Sequence, residues 1–573
     1  MTVSLIWLDG LALHGRIATL MATSIRLRPW QRDALEAYRS HGRPDFLAVA
    51  TPGAGKTTFA LTAAAQALAA RDATGVVVVA PTQHLKLQWS QAAARLGMHL
   101  DPNWSARDGV LPADMHGIVT TYQQVATSSG PLRSVSSGAF VVLDEIHHAG
   151  DDRAWGESVL AAFELASRRL SLSGTPFRSD TSSIPFVDYH FDEARADYEY
   201  GYGEALTDGG VVRPVFFPRI GGHMEWTSAD GSDQAASFDD DLTSDLANQR
   251  LRTALSLEGE WLPSVLADAN AQLMTMRRKH PEAGGLVIAM DQAHALGIAE
   301  LIRRRHRVDV VVATSDDPMA SEKIARFAHS NDPWIVAVRM VSEGVDIPRL
   351  RLGVFATNTT TELFFRQAVG RLVRWTSGLR SQKAFLYIPD DPRLRRSADG
   401  IVEQRRHSRA KREEDGFDDP SALDDRDAMA GADDDGQMSL FAVISAVAGE
   451  RSDAADNVVD DGVFTADDQV WDVGVHAEPE GFDIDLDIPP PRGGVRSDTT
   501  GGVAGETLSQ RKSRLRRANA EAAKELVRNT RLDHRAVNAE LNRLSGIRRV
   551  TEATSDELQL RLDAANKWLR RLR

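Results

Sequence analysis

The sequence predicts an α/β protein with two parallel sheets in tandem, an acidic segment of low folding capacity, and a small basic helical domain. Three observations carry this. Short apolar runs alternate with helical patterns from about Leu27 to Tyr387. Those runs are apolar at every position, which strands covered on both faces require. Charge is also segregated: between Glu413 and Asp487 there are 24 Asp or Glu against two Arg, and from Glu506 to Arg573 there are 17 Lys or Arg against nine acids. The net charge of -14 over 573 residues hides this distribution, which leaves a nucleic-acid partner open.

Taken in order, "FLAVA", "GVVVVA", "GIVTT", "AFVVLDE" and "RLSLSGT" supply the first sheet, within residues 20–215. The polar stretch around Gly221 to Asp241 predicts a break, and residues 216–280 read as a partly helical connector. "GLVIAM", "VDVVVAT", "WIVAVRM", "LGVFAT" and "KAFLYIP" supply the second sheet, within 281–400. Residues 413–505 are Asp-, Gly- and Pro-rich and are expected to be mostly disordered. Helical periodicity returns over 506–573, where Thr554, Ser555 and Glu557 offer N-cap chemistry.

The composition is that of a soluble globular chain, 42% apolar, and no apolar run approaches a membrane span. "MTVSLIWLDGLALHGR" lacks a basic start followed by a long apolar core, so no secretory signal is expected. Zero cysteines exclude disulfides and cysteine-ligated metal. The expected location is the cytoplasm.

"ATPGAGKTT", Ala50 to Thr58, follows an apolar strand and opens the helical run "FALTAAAQALAA". Glycines let backbone N–H groups approach phosphate, and a helix N-terminus adds partial positive charge. Pro52, Gly53, Ala54, Gly55 and Thr58 thus read as a phosphate cradle. Lys56 is placed to reach the β- and γ-phosphates of ATP, and the Thr57 hydroxyl to ligate Mg²⁺. At the end of "VVLDEIHHAG", Asp144 is the expected Mg²⁺ carboxylate and Glu145 the group that orients and deprotonates the attacking water.

Together these motifs resemble the DExH-type helicases and translocases of superfamily 2, in that family's order. "LRPWQRDAL" resembles its adenine-reading segment, which implies base contact by Gln31 with Arg28 nearby. "APTQHLKLQW" and "TTYQQ" resemble its strand-contacting motifs, implying nucleic-acid contacts at Pro81, Thr82, Thr120 and Thr121. "LSGTPFR" resembles the motif coupling ATP state to grip and brings in Arg178. "VSEGVDIP" places Gly344 and Asp346 toward nucleotide and nucleic acid, and "RQAVGRLVR" places Gln367, Arg371 and Arg374 across the cleft from the phosphates. The resemblance implies two RecA-like lobes over roughly Leu27 to Pro389. It also implies that His147 and His148 couple the site to the second lobe. The spelling is most similar to the XPB-like, UvsW-like and restriction-type branch, whose members act mostly on DNA.

The expected function is therefore an ATP- and Mg²⁺-dependent DNA helicase or translocase. Its alternatives are an RNA helicase, the motor subunit of a restriction or phage-defence complex, and a nucleotide-switched DNA-binding adaptor. "RKSRLRR", Arg511 to Arg517, suits either phosphate contacts or packing against the second lobe. "QMSLF" resembles the peptide by which bacterial DNA enzymes bind the replication sliding clamp, with Gln437 at the groove's rim and Met438, Leu440 and Phe441 against its apolar lining. The alternative is a short element docking those side chains on a lobe.

Overall fold

A computed structural model describes residues 23–106, 110–150, 153–174, 184–190, 193–228, 230–314, 316–317, 319–338, 347–376, 378–379, 382–414, 442–453, 481–491, 506–530 and 532–572. The strands run in chain order from β1 (Thr23–Leu27), β2 (Asp45–Ala50), β3 (Val76–Ala80), β4 (Leu100–Asp101) and β5 (Gly117–Thr121) to β6 (Phe140–Leu143) and β7 (Arg168–Ser173). A short hairpin, β8 (Tyr189–His190) and β9 (Glu193–Ala194), precedes β10 (Tyr198–Tyr200). Seven of these form a parallel sheet in the order β10-β2-β7-β6-β3-β5-β4. Each residue of β3 is buried because the sheet has a core on both faces. Val76, Val78 and Ala80 join one cluster, and Val77 and Val79 the other. Burying such a valine contributes roughly 1.5–3 kcal/mol, which fixes the strand register.

The second sheet contains β11 (Val215–Phe216), β12 (Pro218–Thr227), β13 (Asp233–Ser237), β14 (Gly284–Ala289), β15 (Val310–Ala313), β16 (Trp334–Ala337), β17 (Leu350–Ala356) and β18 (Ala384–Pro389). Its path is β13-β12-β18-β17-β14-β16-β15, with β11 against β18. Each of the ten apolar runs picked out in the sequence contains a strand. The crossing between lobes falls earlier than the break expected at Gly221 to Asp241. Strands β11 and β12 already pair with β18, so 216–237 extends the second sheet, and only the helices Ser244–Ala254 and Trp261–Lys279 match a helical connector. The polar look of "IGGHMEWT" conceals Ile220, Met224 and Trp226, which face the second lobe's core.

Two parts of the acidic segment, expected to be mostly disordered, are strands. Strand β19 (Ala442–Asp453) lies antiparallel along the whole of β12, whose edge otherwise offers a row of backbone donors and acceptors. Strand β20 (Phe482–Leu486) pairs with β1. Its sequence, "FDIDL", alternates apolar with acidic residues, so one face carries Phe482, Ile484 and Leu486 while the acids point away. Gln437, Met438, Leu440 and Phe441 lie outside the described residues.

The C-terminal helices Leu508–Asn529, His534–Ser545 and Ser555–Leu572 pack around Leu526, Val537, Leu541, Ala565 and Leu569. Buried Arg561 ties them together by donating to the side-chain oxygens of Asn519, Asn538 and Asn542. The basic stripe docks on the first lobe, not the second. Lys512 Nζ meets Asp114 at 2.6 Å, Arg516 lies 3.8 Å from Asp101, and Ser513 Oγ accepts from Asn103. Arg511 and Arg514 pair with Asp556 and Glu506. Arg517 remains exposed.

Candidate functional site

The candidate phosphate loop sits between β2 and the helix Lys56–Ala69, at the C-terminal end of the sheet. Gly53 and Gly55 have φ of 86° and 96°, which a Cβ-bearing residue adopts only under strain. The loop is held from behind by the helix Pro29–Ser40. Arg28 Nη1 donates to the carbonyls of Gly53 and Ala54 at 3.0 and 2.8 Å, and Trp30 Nε1 donates to Ala54 O at 3.0 Å. Gln31 Nε2 donates to Gly55 O at 2.9 Å while its Oε1 accepts from the Arg28 backbone. Buried Gln31 thus spends both ends of its amide on this loop and its own helix cap. Trp30 stacks on Tyr200 with ring centroids 5.1 Å apart. Sequence reasoning missed Trp30, although it stands inside the quoted "LRPWQ".

Asp144 and Glu145 follow β6. Glu145 has φ of 47°, a left-handed conformation that costs about 1–3 kcal/mol for a non-glycine residue and turns its side chain toward the loop. Its Oε1 accepts from Lys56 Nζ and its Oε2 from the Gly174 amide, both at 2.9 Å. Burial works to raise the Glu145 carboxyl, but Lys56, His147 and the Gly174 N–H outweigh it and hold the group below its ordinary value. Burial and the neighbouring Glu145 charge push Asp144 the other way, upward. The two adjacent carboxyls are thus shifted in opposite directions by their surroundings.

The second lobe closes on this cluster. Gln367 and Arg371 lie on the helix Glu362–Leu372, with Arg374 just beyond its end. Gln367 Nε2 is 3.4 Å from His147 Nε2 across the cleft. Gly370 is so near the loop that an added Cβ would lie 2.5 Å from Pro52 Cγ, and one on Gly53 would lie 3.6 Å from Arg374 Cγ. Arg213, fully buried on the interlobe segment, fastens this end of the second lobe. Its backbone N–H donates to Val373 O at 2.7 Å, and its Nη2 donates to the carbonyls of Pro348 and Arg374.

A family model described as the res subunit of type III restriction enzymes matches residues 24–178. A protein of Mycobacterium leprae, ML1624, is 42% identical over 419 residues, which cover 72% of this chain and 70% of that protein. The DNA 3'-5' translocase XPB2 of Sulfurisphaera tokodaii is 22% identical over 385 residues, covering 62% of this chain and 80% of XPB2. The chain belongs to the superfamily 2 helicase-like family. Rv2917 of Mycobacterium tuberculosis is 45% identical over 388 residues, and the match spans 64% of that protein's length and 66% of this chain.

This helicase-like chain has the fold of an ATPase superfamily, and that fold implies nucleotide binding. A Mg²⁺ ion would find hard oxygen donors at Thr57, on the helix N-terminus, and at Asp144. No cluster of three His, Asp or Glu side chains suited to a metal occurs among the described residues. Such a sparse set fits Mg²⁺, which takes one or two protein groups and completes its shell with water and phosphate oxygens.

The expected nucleic-acid residues divide. Pro81 and Thr82 are partly exposed at the end of β3, where Thr82 caps the helix Gln83–Arg95. Thr120 and Thr121 are buried, and their hydroxyls engage Gln124, so the exposed polar groups at these strand ends are Gln83 and Gln123. Arg178, Gly344 and Asp346 lie outside the described residues. Among the described residues no helix is long and apolar enough to cross a membrane.

Proposed function

We propose that the protein is an ATP- and Mg²⁺-dependent motor that translocates on or unwinds DNA. The observation that carries this reading is the seating of Gly370 and Arg374 against the Gly-rich loop, and of Gln367 beside His147, where Lys56 already meets Glu145. In the proposed cycle the triphosphate enters the Gly53–Gly55 cradle and draws the Lys56 ammonium off Glu145. Freed of that partner, Glu145 takes a proton from water as the water oxygen bonds to the γ-phosphorus and the bond to the β-phosphate oxygen breaks, leaving ADP and inorganic phosphate. Thr57 and Asp144 would hold Mg²⁺, which would supply charge neutralisation at the phosphates. Arg371 and Arg374 meet the negative charge that spreads over the departing phosphoryl group, so turnover depends on lobe closure. Closure and reopening with each ATP advance the lobes along a strand.

DNA over RNA is supported by the resemblance to a branch that acts mostly on DNA and by the likeness to the DNA 3'-5' translocase XPB2. We further propose that Gln437 to Phe441 engages a sliding clamp. Loss of clamp affinity on Leu440→Ala with Phe441→Ala is the expected result, and unchanged affinity refutes it. The main experiment is ATP turnover with single-stranded, duplex and forked DNA and with RNA at one fixed salt concentration. Stimulation by duplex or forked DNA is expected; stimulation by RNA alone, or by no nucleic acid, overturns the reading.

A further inference from the structure

Two buried aromatic side chains from separate segments converge on Asp144. Trp89, on the helix Gln83–Arg95, donates its indole Nε1–H to Asp144 Oδ2 at 2.8 Å. Tyr122, the first residue of the helix Tyr122–Ser136, donates its hydroxyl to the Asp144 backbone carbonyl at 3.0 Å. Their exposures are 2% and 1%, so water cannot replace either donor.

The origins of the two helices give this convergence its meaning. One helix begins just after Pro81–Thr82 at the end of β3, the other just after Thr120–Thr121 at the end of β5. Strand β3 pairs with β5 on one side and with β6, which leads into Asp144, on the other. Ala80 lies opposite Thr121, and Val79 opposite Leu143. Three adjacent strand ends thus carry the two expected nucleic-acid segments and the candidate metal carboxylate, and each of the first two sends a polar aromatic tip to the third. A hydrogen bond to a carboxylate is about twice as strong as a neutral one, and a packed interior transmits displacement instead of absorbing it.

We propose that Trp89 and Tyr122 are positioning residues that connect nucleic-acid contact at the starts of their helices to Asp144, and thereby couple nucleic-acid binding to nucleotide binding. The proposal rests on the DNA-motor reading for its ligand. Packing alone would make both residues matter for stability. Coupling makes them matter for how one ligand changes the affinity of the other, a reciprocal quantity.

The experiment is a binding cycle on the full chain in Mg²⁺. Affinity for a fluorescent ATP analogue is measured with and without a saturating duplex oligonucleotide, and oligonucleotide affinity with and without the analogue. The variants are Tyr122→Phe, which keeps the ring, and Trp89→Phe. In the wild type, duplex is expected to tighten analogue binding about tenfold, with the same factor in the reverse direction. Each variant is expected to reduce that factor below about threefold while the affinities for analogue alone and duplex alone stay within about twofold. Should Trp89→Phe not fold, Tyr122→Phe carries the test. Wild-type coupling in Tyr122→Phe overturns the proposal, as does a loss of coupling fully matched by lost analogue affinity without DNA. A wild type in which no nucleic acid alters nucleotide affinity removes the DNA-motor reading as well, so the two failures are distinguishable.

Discussion

Two lysine–carboxylate pairs in this molecule differ in what surrounds them. Lys56 and Glu145 meet at 2.9 Å with 13% and 28% of their side chains exposed, at a cleft mouth. Lys512 and Asp114 meet at 2.6 Å with 1% and 3% exposed, between the C-terminal domain and the first lobe. In the first pair, on the proposed reading, a phosphate enters and competes for the ammonium, so the contact opens and re-forms. In the second, opening strands a carboxylate in a low-dielectric interface, where an unpaired charge costs far more than the pair contributes. Asp114 is further committed by accepting from the Ser555 backbone N–H at 2.8 Å. The same chemistry makes an exchangeable site in one place and a fastening in the other.

The largest expected effect comes from removing the exchangeable lysine. Lys56→Ala should lower nucleic-acid-stimulated ATP turnover by more than about a thousandfold. A thermal melt should show little change in stability, since Glu145 keeps its Gly174 donor and solvent access.

Removing the buried lysine should reverse that pattern. Lys512→Met is expected to weaken docking of the C-terminal domain by about 3–5 kcal/mol, read as earlier urea unfolding and faster proteolysis between residues 491 and 506. Adding Asp114→Asn should recover part of the loss, because it removes the stranded charge and keeps an oxygen to accept from the Ser555 N–H.

Acid should loosen the packing of the segment around Pro489 against the first lobe. Burial holds His116 down to about 4, and its Nδ1 accepts from the His99 backbone while Nε2 meets Pro489 O at 3.0 Å. A histidine with a depressed folded pKa is neutral in the fold and takes up its proton more readily when unfolded. Its contribution is present above the unfolded value near 6.5 and is lost as pH falls toward 4. Stability should therefore drop by about 2 kcal/mol between pH 7.5 and 5, a drop that calorimetry should find reduced in His116→Asn.

The smallest effect concerns fit between the lobes. Gly370→Ala places a methyl group against Pro52 and should cut turnover about tenfold, with little effect on stability. Gly400→Ala, where a Cβ meets nothing within 4 Å, is the control and should turn over ATP normally.

The sequence revealed more of the cleft than of the dock. Continuous apolar runs signal strands buried on both faces, and the phosphate loop, the Asp144–Glu145 pair and the Gln367–Arg374 segment have fixed spacings that survive without coordinates. The dock depends on Asp101 and Asp114, which lie about four hundred residues from Lys512 and Arg516 and carry no local signal. Strand β20 was concealed because counting acids over a long window averages away a period-two pattern. The motif containing Gln31 was legible, but its bonds to Gly55 O and the Arg28 backbone carry no local sequence signal. Nothing in the sequence separates Trp89 and Tyr122 from core aromatics, and only coordinates show where their N–H and O–H point.

The central claim is that the site is completed across the cleft by the second lobe's arginines. Arg371→Ala tests it most directly, with nucleotide affinity and DNA-stimulated turnover measured on the same preparation. Affinity within about threefold of wild type, with turnover reduced by about a thousandfold or more, is the expected result. Turnover within about threefold of wild type would contradict the account.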